Sequence, residues 1–168
     1  MNNEIKSQLR NWSREHLHEI WKHAKNNELH TLSNEEQQLA KIMLDHEDEF
    51  FDQFEFVDIY GDYEFDPETE VNPFLHIMIH SIVENQLNAR NPIEVYQFYL
   101  NMKKRKLSHH DTIHLIGRIL VPFIFYPLKQ QEEFDEAQYK RVLKIYKNKK
   151  PEKIYSALDR DSDSILTI

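Results

Sequence analysis

Apolar positions recur every three or four residues along much of the chain, which is the spacing of one face of an α-helix. The first series predicts a helix that ends near Asn26 and Asn27. Its inward positions are Ile5, Leu9, Trp12, His16, Ile20 and Ala24. Ser33 and Glu36 have the spacing of a capping box, so we predict that a second helix begins there. The inner face of that helix comprises Leu39, Ile42, Met43, His46 and Phe50.

Capping residues and prolines predict the later helices. Asn72-Pro73 and Asn91-Pro92 each place an Asn cap before a proline, so we expect a third helix to about residue 90 and a fourth to about residue 104. Ser108 and Asp111 predict the start of a fifth helix, with a kink or break at Pro122. A last regular element should span residues 135–147, and one short helical turn should follow Pro151.

The segment from Asp45 to Glu70 contains twelve carboxylates and no Lys or Arg. Because Gly61 and Pro67 interrupt helices, we expect the second helix to end near Phe54 and an ordered acidic loop to join it to the third. Aromatic residues interleaved with the acids would pack this loop against the core.

These elements predict an all-α fold, an irregular bundle of five or six helices. A chain of 168 residues has the usual size of one domain, and we assign residues 1–158 to a single helical domain. Residues 159–168 form a polar tail whose composition favours disorder. The chain contains only two glycines, which argues against β-hairpins and against Gly-rich phosphate-binding loops.

Composition also restricts the location and the partners. We find neither a signal peptide nor an apolar run long enough to span a membrane, and there are no cysteines, so we expect a cytoplasmic protein. The net charge of -8 is uneven: residues 1–72 carry 18 acidic and 6 basic side chains, whereas residues 73–168 carry 11 and 15. The basic run from Lys140 to Lys153 is typical of a solvated helix end, and an acidic protein is a poor general nucleic-acid binder.

The ten histidines include two pairs at i, i+4 spacing, His76 with His80 and His110 with His114. Each pair shares a stripe with apolar residues of its predicted helix, so we expect all four imidazoles to be buried. Two imidazoles one helical turn apart can bind one metal ion. We therefore predict a divalent-metal site formed by the four, with Glu84, Asp111 and His46 as further candidate ligands.

Without cysteine, such a site has only nitrogen and oxygen ligands, which suits zinc, iron, manganese or nickel. Whether a bound metal would catalyse a reaction depends on an open coordination position, so the question of enzymatic activity stays open. The pattern from His110 to His114 resembles the zinc-protease motif H-E-x-x-H, but Asp111 is shorter than the usual glutamate base and no third ligand is recognisable.

The alternative hypothesis is a non-catalytic interaction module. Neutral buried histidines can hydrogen-bond to backbone carbonyls, carboxylates or one another and so hold helices in register. In that case the acidic loop would dock a basic protein partner.

The block from Asn72 to His80, N-P-F-L-H-I-M-I-H, followed by Glu84 and Gln86, resembles the bacterial domain-of-unknown-function family 1841. The resemblance covers about residues 12–146 and includes His46 and the second histidine pair. It implies a shared helical fold and a shared histidine pattern. Where family members tend to carry a second histidine, four residues after His46, this chain has Phe50, and Arg118 occupies the place of a customary acidic residue. A more distant analogy is to metal-binding helical bundles of the DinB type.

Overall fold

The computed structural model describes residues 3–66, 69–130 and 133–165, and within these ranges it contains nine α-helices and no β-strand. The helices are α1 Asn3–Lys25, α2 Asn34–Asp45, α3 Glu47–Glu55, α4 Val57–Tyr60, α5 Pro73–Ala89, α6 Ile93–Lys104, α7 His109–Gln130, α8 Glu136–Tyr146 and α9 Pro151–Ile165. A single 3-10 turn, Leu29–Thr31, follows α1. The prediction of an all-α fold is confirmed. In those ranges, no helix combines the length and apolar character needed to cross a bilayer.

Three of the predicted helix starts coincide with observed side-chain caps, whereas the cap predicted at Asn91 was wrong, because the residue before α6 is Pro92 and forms no side-chain cap. Ser33 and Glu36 form both hydrogen bonds of the capping box at α2. The Asn72 side chain accepts a hydrogen bond from the backbone N–H three residues later, at the start of α5. At α7, the Ser108 hydroxyl accepts from the backbone N–H of Asp111 at 2.9 Å. Each cap satisfies a backbone donor that lacks a partner within its helix, so local sequence determines where these helices begin.

Two helices are longer than predicted. α7 continues through Pro122 to Gln130, although a proline inside a helix removes one backbone hydrogen bond. Ile119 and Leu120, in the turn before the proline, are buried, and this packing offsets the missing bond. α9 spans 15 residues where one turn was expected, because Ile154 anchors it in the core. Of the predicted polar tail, residues 159–165 are helical and residues 166–168 lie outside the described residues.

The acidic segment is more helical than predicted. The expected second helix is two helices, α2 and α3, separated at His46, whose φ of -116° and ψ of 14° are not helical. The short α4 follows directly, and residues 61–66 and 69–72 contain no helix. The apolar periodicity continues across His46, which explains why the sequence pattern did not reveal this break.

The chain divides into two compact units, Met1–Ser81 and Ile82–Ile168, with the boundary inside α5. The first unit has a core from α1, α2, α3 and the start of α5. It comprises Leu17, Ile20, Trp21, Ala24, Ala40, Ile42, Met43, Phe50, Phe54, Phe74 and Ile77. The second unit buries residues of α6, α7, α8 and α9, among them Phe98, Met102, Ile116, Tyr139, Leu143 and Ile154. The assignment of residues 1–158 to one domain stays a prediction.

The inner face of α1 differs from the predicted one. His16 is exposed and lies 3.6 Å from a carboxylate oxygen of Glu36. Leu17, Ile20, Trp21 and Ala24 are buried, together with the charged Arg14. The side chains of Ile5, Leu9 and Trp12 lie outside the described residues.

Arg14 joins α1 to the segment after α4. Its Nη1 atom donates hydrogen bonds to the backbone carbonyls of Tyr60, Gly61 and Tyr63. The guanidinium also lies over the rings of Phe65 and Phe74, 5.4 and 4.8 Å from their centroids. Burial lowers the pKa of Arg14, and the neighbouring Arg10 lowers it further. These contacts explain how residues 61–65 keep one conformation although they form no helix.

The indole of Trp21 fixes the end of α3. Its Nε1 donates to the Glu55 carboxylate at 2.8 Å, and the Lys25 ammonium donates to the same oxygen at 2.5 Å. The hydrogen bond from Lys25 lowers the pKa of Glu55 most, and that from Trp21 lowers it further. α1 therefore holds the end of α3 and the segment after α4 through cationic or N–H donors.

We predict that Arg14→Ala lowers the free energy of unfolding by about 3 kcal/mol, because three carbonyls and two ring faces lose their partner. Arg14→Lys should recover only part of this loss, since an ammonium cannot stack as a planar guanidinium does. Chemical denaturation of both variants measures the effect. Arg10→Ala is the matched control, because Arg10 forms a solvent-exposed pair with Glu64; an equal loss there would contradict the role given to Arg14.

Candidate metal centre

His46 is a buried imidazole with a defined orientation. It lies at the break between α2 and α3, where its backbone N–H turns to the carbonyls of Met43 and Leu44. The ring Nδ1, and not the backbone N–H, hydrogen-bonds to the carbonyl oxygen of Ile42, at 2.7 Å. Because a carbonyl can only accept, Nδ1 must carry the proton, and the neutral ring then has its lone pair on Nε2. The break in the helix therefore orients a potential ligand nitrogen.

Two further imidazoles of α5 meet His46 in the same unit. The Nε2 atoms of His46 and His76 are 3.1 Å apart. The ring of His46 lies 4.8 Å from that of His76 and 4.6 Å from that of His80, and the two α5 rings are 4.7 Å apart. His46 and His80 are buried and His76 is half-buried. The predicted i, i+4 pair of α5 thus does form one cluster with His46.

The spacing within this cluster is compatible with metal coordination. Two imidazole nitrogens bound to one tetrahedral zinc ion, each about 2.0–2.1 Å from it, are about 3.3 Å apart. The 3.1 Å between Nε2 of His46 and Nε2 of His76 is close to that value. It also fits a direct hydrogen bond, for which His76 would have to donate from Nε2.

The pair on α7 is less buried than predicted. The rings of His110 and His114 are 4.2 Å apart, as expected for residues one turn apart. His110 is exposed and His114 is half-buried, so the expectation that both are buried was wrong. The reason is their place near the beginning of α7, since an apolar stripe does not tell how close to solvent its first turn lies.

The predicted site also includes His110 and His114, which belong to the second unit, and their part in it stays a prediction. Within the first unit, the ring centroids of His46, His76 and His80 lie 4.6–4.8 Å apart, and we call these three residues the histidine group. Imidazole nitrogens can bind zinc, iron or nickel, which are the metals named from the sequence together with manganese.

The two candidate carboxylates have other partners. Glu84 accepts a hydrogen bond from Nε2 of His109 at 2.7 Å. Asp111 bonds the Ser108 hydroxyl at 2.5 Å as part of the α7 cap. Neither belongs to the histidine group. That Glu84 or Asp111 adds an oxygen ligand stays a prediction.

His109, which no sequence pattern indicated as a functional residue, connects α5 and α6 in the second unit. Its Nδ1 bonds the Tyr99 hydroxyl at 2.9 Å while Nε2 bonds Glu84. Tyr99 lies on α6 and Glu84 on α5, so this chain of hydrogen bonds holds the first turn of α7, where His110 also lies. The spacing of Glu84, Tyr99 and His109 in the sequence follows no period, and no local signal could have revealed it.

The family resemblance implied other residues at positions 50 and 118. Phe50 lies 6.1 Å from His46 in a nearly parallel stack and 5.3 Å from the ring of His76. A histidine at this position would therefore border the cluster. Arg118 pairs with Asp159 of α9 at 2.5 Å and lies over the ring of Tyr155.

One family model matches residues 9–145, that of Domain of unknown function (DUF1841). Searches of the curated proteins and of the solved structures found no match.

The metal-free protein should show His46 as the Nδ1-protonated tautomer, because the Ile42 carbonyl requires a donor at that atom. A two-dimensional ¹H–¹⁵N correlation of the imidazole nitrogens distinguishes the tautomers by their ¹⁵N shifts. Comparison with a His46→Gln variant assigns the signal. An Nε2-protonated His46 would contradict the orientation described above.

Proposed function

The chain belongs to the DUF1841 family, and we propose that it binds a divalent transition metal through its histidine group. The observation that carries this proposal is the orientation of His46, whose Nδ1 bond to Ile42 turns Nε2 toward the imidazoles of α5. A backbone carbonyl behind a metal-bound histidine is a recurrent feature of metal sites, since it fixes the ring and its tautomer.

The first ligands are His46 and His80, which are buried. A further ligand is His76, whose Nε2 is 3.1 Å from that of His46. A set made only of imidazoles favours zinc, iron or nickel over manganese, which prefers oxygen ligands. Zinc is the first metal to test.

A hydrogen-bonded histidine cluster without metal is the competing explanation for the same geometry. In that case Nε2 of His76 donates a hydrogen bond to Nε2 of His46. The protein would then be a helical interaction module that binds no metal. Several acids of the segment 45–70 are engaged within the fold, such as Glu55 with Lys25 and Glu64 with Arg10. An acidic surface that docks a basic partner therefore has weaker support than the metal site.

The test is the zinc content of untagged protein that has been stripped with chelator, mixed with one equivalent of zinc and desalted. We predict close to one zinc per chain by elemental analysis. The double variant His46→Gln, His80→Gln should retain little zinc, because it loses two buried ligands. His30→Gln is the matched control, since His30 is exposed on the turn after α1.

Circular dichroism shows whether the double variant is folded. His76→Gln changes a side chain that is half-buried, so it reports on ligation with little risk of unfolding. Zinc below a tenth of an equivalent in the wild type would overturn the proposal. Equal zinc in the wild type and in every histidine variant would overturn it as well.

We further predict that Phe50→His raises the affinity for zinc. The new imidazole would occupy the place of a ring that already lies against His46 and His76. Competition with a chromogenic zinc chelator measures the change, and Phe51→His, on the exposed side of α3, is the control. A lower affinity in Phe50→His than in the wild type would count against a site at this cluster.

A further inference from the structure

A basic cavity lies in the second unit, apart from the histidine group, where the turn after α8 meets α9. Its volume is about 360 Å³, and its lining residues are Lys149, Lys153, Ser156, Ala157 and Arg160. This is within the range of pockets that hold small ligands, about 300–1,000 Å³. Three of the five lining side chains are cationic, and none of the five is acidic.

On α9, cationic side chains flank small residues and so form a groove. Lys153, Ala157 and Arg160 follow one another at steps of four and three, so they share one face of the helix. Ala157 and Ser156 are small and lie between the two cations. A ligand can therefore approach the helix surface while Lys153 and Arg160 reach it from either end, about 10 Å apart along the axis.

The other side of α9 is anchored, so the groove is held in place. Ile154 is fully buried. Asp159, next to Arg160 in sequence, pairs with Arg118 of α7 at 2.5 Å. Its negative charge is thus engaged by another cation instead of neutralising the cavity. The Nε of Arg160 donates to the carbonyl of Ser156 at 3.0 Å, which orients the guanidinium.

The turn that carries Lys149 is held as well. Arg105 of α6 donates to the carbonyl of Asn148 at 2.8 Å. The ammonium of Lys149 lies over the ring of Tyr146, 4.8 Å from its centroid. Side chains fixed before binding lose less conformational freedom when a ligand arrives, which favours affinity.

We propose that this cavity is a binding site for the phosphate group of a small phosphorylated molecule. A phosphate dianion needs several convergent donors, and the planar fork of Arg160 together with two ammonium groups meets that need. A nucleic-acid backbone carries the same group, but the protein has a net charge of -8, which repels a long polyanion. The groove is also short, with one arginine and two lysines.

The experiment is a calorimetric titration of chelator-treated protein with pyrophosphate at low ionic strength. Removing metal keeps the histidine group out of the measurement, so this test and that of the zinc site succeed or fail separately. We expect saturable binding at one site. Lys153→Ala with Arg160→Ala should weaken it at least about tenfold, since two charge-assisted contacts are lost.

The matched control is Lys140→Ala with Lys144→Ala, which removes the same charge from α8, where these lysines pair with Glu136 and Glu94. It should change the affinity less than about twofold. Ala157→Leu fills the floor of the cavity without changing charge and should also abolish binding. Each of three results would overturn the proposal: no saturable binding of pyrophosphate, an equal loss in the control variant, or tighter binding of a twenty-base-pair DNA duplex than of pyrophosphate.

Discussion

A buried imidazole is tolerated in an apolar core only when its nitrogen atoms have partners, because desolvated polar groups are costly. His46 meets this constraint at Nδ1 through the carbonyl of Ile42. The bond exists because the backbone leaves the helix at His46, so that its own N–H no longer reaches that carbonyl. The same break separates α2 from α3 and turns Nε2 toward α5. The geometry of the histidine group therefore follows from how one helix ends.

Much of the fold could be predicted from the sequence, because helix starts are local. The capping residues Ser33, Asn72 and Ser108 satisfy backbone donors within three residues. The position of His46 on an inner face also followed from its spacing with Ile42. The break at His46 could not be predicted, since the apolar periodicity passes through it unchanged. The depth of a residue in the core could not be predicted either, so the exposure of His110 was not foreseen.

Long-range polar contacts were the other feature beyond the reach of sequence patterns. Arg14 occupies a stripe with Leu17 and Trp21, yet an arginine there is usually read as solvated. Its partners, the carbonyls after α4, are more than forty residues away. The charge imbalance between the two halves of the chain was visible at once. In the structure, cations of α1 bind the acidic segment. The lysines and the arginine around α9 surround a cavity.

The central claim, that the histidine group binds metal, is tested most directly by diffraction from crystals grown with zinc, measured above and below the zinc absorption edge. We predict an anomalous difference peak about 2.0–2.1 Å from Nε2 of His46, with nitrogen atoms of other histidines of the group completing the coordination of the zinc ion. A map without a peak at these side chains, in which Nε2 of His76 donates directly to Nε2 of His46, would contradict it.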